Sequence, residues 1–324
     1  MSSPKQALQT RSPGNTAARV GTVGQRLGPT SRRITACLDL LLQTTQEYGC
    51  SPTLAITARV LARHPAVGQM LVERGAEVAS YGYVHTNYAL LSYERQLEHL
   101  RQARETFDRL AIPHQGFRAP YQYWNSDTLR AVAAARLAYD SSSLVGWDVV
   151  DQAMALEKGW KWDEYQRVVA LRQPQDAAQV LSLPAWTCGI VEIPGSFPDD
   201  ESLIDWLAVA NPEDVAQTWL TALGQACRRD ELLTLQLHQE RVGFWRPALE
   251  AVLARARAAR PAPWVATLSE IAGWWNERRD FRWQRIRGGS GRYTARLLAT
   301  PRASVLFKGT PPPDLQTRPW AAGW

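Results

Sequence analysis

Residues 77–92 read EVASYGYVHTNYALLS, and this stretch decides how the sequence around it folds. Its first four residues are the short run typical of a buried strand, and Gly82 opens a polar loop that contains His85. Residues 93–110 (YERQLEHLRQARETFDRL) follow with an amphipathic helical pattern. A strand, a loop and a helix in this order predict part of a βαβ unit, and such loops are where α/β folds place their chemistry.

The alternation of strand and helix patterns extends in both directions from this stretch. Upstream, a helical pattern from residue 34 ends at Gly49 and precedes a predicted strand at 53–57, and a second helical pattern ends at Gly75. Downstream, the predicted strands are 116–121, 137–143, 189–194, 232–239 and 264–269, separated by helical patterns, the first with Ser126 as its cap. This rhythm predicts parallel βαβ units closed into a barrel.

Two regions depart from this rhythm and define the predicted domains. Residues 146–178 form an insertion over the mouth of the barrel, and after Asn276 an alternating pattern with a glycine-rich turn predicts a β-hairpin. We therefore expect a disordered basic leader at 1–33, a barrel at 34–278, and a β-hairpin appendage with a loose tail at 279–324.

The chain is 45% apolar and carries a formal net charge of +6, all of which lies in the leader. Because the body is neutral and has no nucleic-acid motif, we expect no nucleic-acid partner. The sequence has neither a membrane-spanning run nor an apolar secretory segment, which predicts a cytoplasmic protein. The four cysteines lack metal-site spacing and are expected to be free thiols. The oligomeric state is left open.

Polar clusters follow the predicted strands in a fixed order. GYVHTNYALLS is followed by GFRAPY, YDSS, EIPGSFPDD and LQLHQERVG, and the ends of barrel strands converge on one mouth. In this order the sequence resembles the polysaccharide deacetylase family, the NodB-homology group of carbohydrate esterases, over residues 34–275. The resemblance implies an irregular (β/α)7 barrel and a hydrolase of non-peptide C–N bonds in N-acylated sugars, with a divalent, zinc-like metal.

The resemblance also implies roles for individual residues. In the family a metal held by one Asp and two His polarises the amide, an Asp serves as base, an Arg holds that Asp, and a His protonates the leaving amine. His85 matches the second histidine ligand of the family's metal, and Arg118 and Pro120 match its Arg-x-Pro motif. His238 matches the histidine that serves as the general acid. The remaining candidates are Asp200 as a catalytic carboxylate, Tyr81, Tyr121 and Trp124 as substrate contacts, and Asp140, Asp148, Asp199, Trp147 and Trp186 as further residues near the mouth.

The sequence departs from the family at the metal ligands. Tyr81 stands where the first metal histidine is expected, and a phenol that ionises near pH 10 is a poor ligand at neutral pH. No acidic residue precedes Asp39, so the aspartate pair that opens the family pattern is missing. The metal motif is therefore degraded.

Alternative functions follow from that loss. The chain could be a metal-independent amide or ureide hydrolase of the same fold, or a non-catalytic carbohydrate-binding pseudoenzyme that keeps the mouth. A start codon further upstream, with the Asp-Asp strand encoded before it, is a third reading, but it leaves Tyr81 unexplained.

Overall fold

The computed structural model describes residues 31–279, 282–287 and 293–298, with side chains for 33–279. Residues 1–30 of the predicted leader, the turn of the predicted hairpin and the tail lie outside the described residues. The first helix begins at Ser31, three residues before the expected start of the barrel. The chain divides into two compact units, residues 1–269 and 270–324. The predicted domain boundaries remain predictions.

The helices and strands of the described residues, numbered in chain order, alternate through the first unit, which ends at residue 269. The helices are α1 (Ser31–Glu47), α2 (Ala58–Arg63), α3 (Pro65–Glu73), α4 (Tyr93–Arg109), α5 (Ser126–Ala134), α6 (Gln152–Glu157), α7 (Trp162–Arg172), α8 (Pro212–Arg229), α9 (Val242–Ala258) and α10 (Leu268–Arg279). The strands are β1 (Thr53–Ile56), β2 (Glu77–Ser80), β3 (His114–Phe117), β4 (Tyr139–Asp140), β5 (Leu144–Gly146), β6 (Gln175–Asp176), β7 (Ala185–Thr187), β8 (Ile190–Glu192), β9 (Gly195–Phe197), β10 (Arg282–Arg287) and β11 (Tyr293–Leu298).

Parallel pairing brings the strand ends together. The main sheet has the order β1-β2-β3-β4-β8-β7, with every pair parallel except β7 with β8. A second, parallel sheet has the order β6-β5-β9. In the second unit β10 and β11 pair antiparallel, as the predicted hairpin requires. The first four strands of the main sheet therefore release their loops on one side.

Local sequence explains where several helices begin. The Ser92 side chain accepts a hydrogen bond from Arg95 N and caps α4. The predicted cap of α5, Ser126, was one residue off: Asn125 is the cap and forms a capping box with Thr128. Gly49 and Gly75 follow helices with φ of 68° and 75°, a conformation that glycine adopts without a steric cost.

Apolar helix faces pack on both sheets. The largest cluster joins β5, β9 and the helices α8 and α9, and it contains the fully buried side chains of Trp219 and Trp245. Trp147 belongs to this cluster at 4% exposure, so it is a core residue rather than a substrate contact. In the described part of the chain no helix is long and apolar enough to cross a membrane.

Two predicted strands are not regular strands. Residues 232–238 run beside β9 and the residues that follow it, and are bonded to them in two ways. Ser196 N donates to Thr234 O and Asp200 N donates to Gln236 O, whereas the amides of Thr234 and His238 donate to the side chains of Ser196 and Asp200. Residues 264–267 have no strand pairing in the described part of the chain, and Leu268 N and Ser269 N, at the start of α10, donate to the side chains of Thr53 and Glu77. Polar side chains therefore take over part of the backbone bonding at both places, which an apolar pattern does not reveal.

Candidate active site

His238 and Asp200 form the best-defined polar pair at the mouth. His238 Nδ1 lies 2.7 Å from Asp200 Oδ1, and His238 N donates to Asp200 Oδ2 at 2.8 Å. The carboxylate is fully buried, whereas 39% of the His238 side chain is exposed. Burial opposes a charge on the ring, but Asp200 outweighs it and raises the pKa of His238 to about 9. His238 therefore carries a proton at neutral pH, as a general acid must.

Neighbouring side chains hold the His238–Asp200 pair in place. Trp245 Nε1 donates to His238 O at 3.1 Å, and the guanidinium of Arg241 lies 3.6 Å from Asp200 Oδ2 while it pairs with Asp205 at 2.6 Å. Because Nδ1 is held by Asp200, Nε2 is the ring nitrogen left for a substrate. The predicted catalytic residues His238 and Asp200 are thus brought together, with Asp200 acting on the histidine.

His85 lies among aromatic rings. Its ring centroid is 4.9 Å from that of Tyr81 and 4.3 Å from that of Tyr121, the second edge-on. Loss of hydration, with a further contribution from the charge of His238, lowers the pKa of His85 to about 4. His85 is therefore a neutral imidazole at physiological pH, close enough to His238 to feel its charge.

Arg118 extends from the end of β3 into the same region. Its Nε donates to Ser141 O at 2.8 Å and its Nη2 to Ser141 Oγ at 2.7 Å. Among the described residues no carboxylate lies within 4.0 Å of this guanidinium, so Arg118 forms no direct ion pair with Asp140 or Asp200. Arg118 is anchored by uncharged oxygens, so its positive charge is available to a ligand bound in the mouth.

Near Arg118 lies a buried pair of carboxyl groups, of which the sequence analysis named Asp140 and missed Glu192. Asp140 and Glu192 are register partners across β4 and β8, and each accepts from the loop that follows β4, through Ser142 and Ser143. Burial raises the pKa of both groups, and the charge of Glu192 raises the pKa of Asp140 further. Glu192 Oε2 is buried and has no hydrogen-bond partner among the described residues. The two positions are too far apart in sequence for a motif to connect them.

The residues present do not fit a divalent metal. Tyr81 is at the position of one expected histidine ligand, and burial raises its pKa, so it stays a phenol. No group of three His, Cys, Asp or Glu side chains suited to a metal occurs among the described residues. His85 alone cannot supply the ligands that the resemblance implied.

The predicted substrate contacts differ in exposure. Tyr121 is 46% exposed and faces His85, and Tyr81 lies on the other side of that histidine. Pro120 is buried, and Trp124 packs against the core cluster of Tyr88 and Phe117. Tyr121 is therefore the aromatic ring best placed to meet a ligand.

The other acidic candidates have structural duties. Asp199 Oδ1 accepts from Ser202 N at 2.8 Å, in the turn that leads into the helical segment Ser202–Trp206. Asp148 lines a small surface pocket with Gln225 and Arg229. Among the described residues neither carboxylate forms an ion pair with a histidine, although the charge of Asp199 contributes to the raised pKa of His238.

Parallel strands thus place a histidine–aspartate pair and an arginine at the same set of strand ends. Residues 28–139 match the family model described as polysaccharide deacetylase, which confirms the resemblance to that family. The comparison with curated proteins gives no match.

Solved structures share the fold. A Mycobacterium smegmatis protein assigned to the polysaccharide deacetylases is 20% identical with a TM-score of 0.61, covering 82% of this chain and 85% of its own. A probable polysaccharide deacetylase from Pseudomonas aeruginosa PAO1 is 19% identical (TM-score 0.58; 76% and 74% covered). PuuE allantoinase is 17% identical (TM-score 0.57; 74% and 72% covered). These likenesses confirm the fold class, an irregular polysaccharide deacetylase-type barrel.

Proposed function

We propose that this protein is a deacetylase-like hydrolase that cleaves a non-peptide C–N amide bond in an N-acylated sugar or related small substrate without a divalent metal. The observation that carries the proposal is geometric: His238 Nδ1 lies 2.7 Å from the buried carboxylate of Asp200, and the His85 ring lies beside those of Tyr81 and Tyr121 in the same mouth. These surroundings raise the pKa of His238 to about 9 and lower the pKa of His85 to about 4. Neighbouring titratable groups whose pKa values are driven apart mark acid and base roles. The family match supports the reaction class.

The chemistry divides between the two rings. Neutral His85 orients a water molecule and takes its proton as the oxygen attacks the amide carbon. The C–N bond then breaks, and the proton on His238 Nε2 goes to the departing amine. The products are a carboxylic acid and an amine, so the atoms of one amide and one water are accounted for.

The negative charge that develops on the carbonyl oxygen needs a partner in place of the metal. The Tyr81 hydroxyl is the nearest candidate, because it lies beside His85 and its environment includes the charges of Arg118 and Arg172. A phenol held neutral in a buried site donates a strong hydrogen bond to an oxyanion. Arg118 adds a positive charge that is not neutralised by a direct ion pair.

The test is a release assay with a matched pair of variants. Acetate release from chito-oligosaccharides and ammonia or amine release from small ureides are measured for the wild type, for His238→Asn and for His99→Asn, a histidine on α4. We expect turnover by the wild type and the His99 variant and at least about a hundredfold loss in the His238 variant. Turnover that survives the loss of His238 would remove it as the acid.

The non-catalytic alternative is separated by the same experiment. The exposed Tyr121 ring at the mouth is the kind of surface on which a sugar stacks. Binding of the oligosaccharides with no release from any substrate would favour the binding protein over the hydrolase.

A further inference from the structure

The segment between β5 and β7 contacts the loops at the mouth through the side chain of Arg172. Arg172 is the last residue of α7, and its side chain is only 14% exposed. Arg172 Nη1 donates to Gln122 Oε1 at 2.5 Å and to Tyr121 O at 3.4 Å, while Nη2 donates to Glu201 Oε2 at 2.7 Å. One guanidinium therefore joins the insertion, the loop after β3 and the segment after β9.

The loop that Arg172 holds has an unusual backbone. Tyr121 has φ 59° and Gln122 has φ 56°, the left-handed region that residues with a Cβ rarely adopt. Two such residues in succession persist only where the surroundings fix them. Arg172 contacts both, one through its carbonyl oxygen and the other through its side-chain amide.

A chain of hydrogen bonds continues from Gln122 toward the segment that bears His238, the proposed general acid. Gln122 Nε2 donates to Gln236 Oε1 at 2.5 Å, and Gln236 Nε2 donates to Ser196 O at 3.3 Å. Gln236 lies two residues before His238, on the segment whose amides are bonded to Ser196 and Asp200 side chains. Arg172 is thus connected both to the aromatic ring beside His85 and to the segment that bears His238.

We propose that Arg172 is a positioning residue that holds Tyr121 against His85, so that the inserted segment sets how the mouth receives its substrate. A guanidinium can serve two separate acceptors at fixed angles, whereas an ammonium group cannot reproduce this fork. The inference rests on the proposed function for its kinetic readout alone. The structural readout does not need turnover.

The experiment compares Arg172→Met and Arg172→Lys with Arg167→Met. Arg167 lies on the same helix and makes an exposed ion pair with Glu164, so its loss controls for charge and helix content. We expect both Arg172 variants to raise KM about tenfold with kcat changed less than about threefold, and Lys to rescue little. The His85 ring resonances should move in both, because Tyr121 lies 4.3 Å away. The Arg167 variant should match the wild type.

Several outcomes would overturn the proposal. Unchanged His85 resonances in Arg172→Met would show that Tyr121 keeps its place without this contact. Full rescue by lysine would reduce the role to an ion pair with Glu201. If Arg172→Met does not fold, Gln122→Met decides, since it removes the shorter of the two bonds from Arg172 to this loop (2.5 Å against 3.4 Å) and leaves the Arg172–Glu201 pair. Unmoved His85 resonances in that variant would also overturn the inference. A wild type without turnover would sink the proposed function, and the resonances would still decide this one.

Discussion

The two histidines of the mouth, His238 and His85, have opposite protonation states at neutral pH. His238 gains an ionised partner in Asp200, which raises its pKa to about 9, whereas His85 is surrounded by rings and feels the charge of His238, so its pKa falls to about 4. Between these values one ring is charged and the other is neutral. The window in which both have the form that the proposed chemistry needs includes neutral pH.

Asp200→Asn tests this division directly. The amide keeps a polar group near His238 but removes the charge that raises its pKa, so the protonated form should disappear at a lower pH. We expect the alkaline limb of the rate profile to move to lower pH and the rate at pH 8 to fall about tenfold or more. Rates are measured from pH 5 to 10, with histidine titration followed by NMR. Asp127→Asn, an exposed position on α5, is the control; an alkaline limb that stays in place in Asp200→Asn would contradict the assignment.

At the scale of elements, the central strands are packed so closely that one of them requires glycine. A Cβ at Gly116 of β3 would lie 1.8 Å from Cζ of Tyr139 on β4, whose hydroxyl donates to Glu77 Oε1 at 2.6 Å. The Tyr139 ring is fully buried and has no room to retreat. The neighbouring strands β2, β3 and β4, which position Tyr81, Arg118 and Asp140, therefore depend on this small residue.

Gly116→Ala should destabilise the fold. Overpacking at this contact is expected to lower the free energy of unfolding by about 1–3 kcal/mol or more. Urea unfolding monitored by tryptophan fluorescence measures the change. Gly243→Ala in α9 is the matched control, because no atom beyond its own helical turn lies within 4 Å of the place that a Cβ would take, and alanine favours helices by up to about 1 kcal/mol. Equal stability of the two variants would contradict the described packing.

How far the sequence predicts these elements depends on what holds each of them. Hydrophobic period and glycine ends located β1, β2, α4 and α8, because their backbone bonds are internal or run to an adjacent strand. The bonding of segment 232–238 and the role of Glu192 were harder to predict from the sequence. Their partners are Ser196, Asp200 and Asp140, which lie on other strands and loops. Arg172 lies 50 residues from Gln122 in the sequence, so no local pattern predicts the hydrogen bond between their side chains.

At the scale of the whole molecule, the contributions of the histidines to stability fall off on both sides of the pH range around 6.5. His238 binds its proton more tightly in the folded state, so its contribution is complete below pH 6.5 and is lost as the pH rises through about 9. His85, His99 and His114 have lowered pKa values because burial disfavours their charge. They weaken the folded state as the pH falls below 6.5.

The alkaline side of this curve can be assigned. We expect the wild-type Tm to fall between pH 6.5 and 9, and Asp200→Asn to flatten that fall by about 2–4 °C, a modest effect because the His238 ring is partly exposed to solvent. Scanning calorimetry in buffers of constant ionic strength measures it. A wild-type and a variant curve of the same slope would show that the pair contributes nothing to stability.

Residues 28–139 match the polysaccharide deacetylase family model, whereas the side chains of the described residues form no group of three suited to a divalent metal. The measurement that tests the account most directly is release of acid and amine from an N-acylated substrate by protein stripped with a chelator and verified metal-free by elemental analysis. The account predicts turnover unchanged by stripping or by added zinc, and lost in His238→Asn. Turnover that disappears with the chelator and returns with zinc would contradict it.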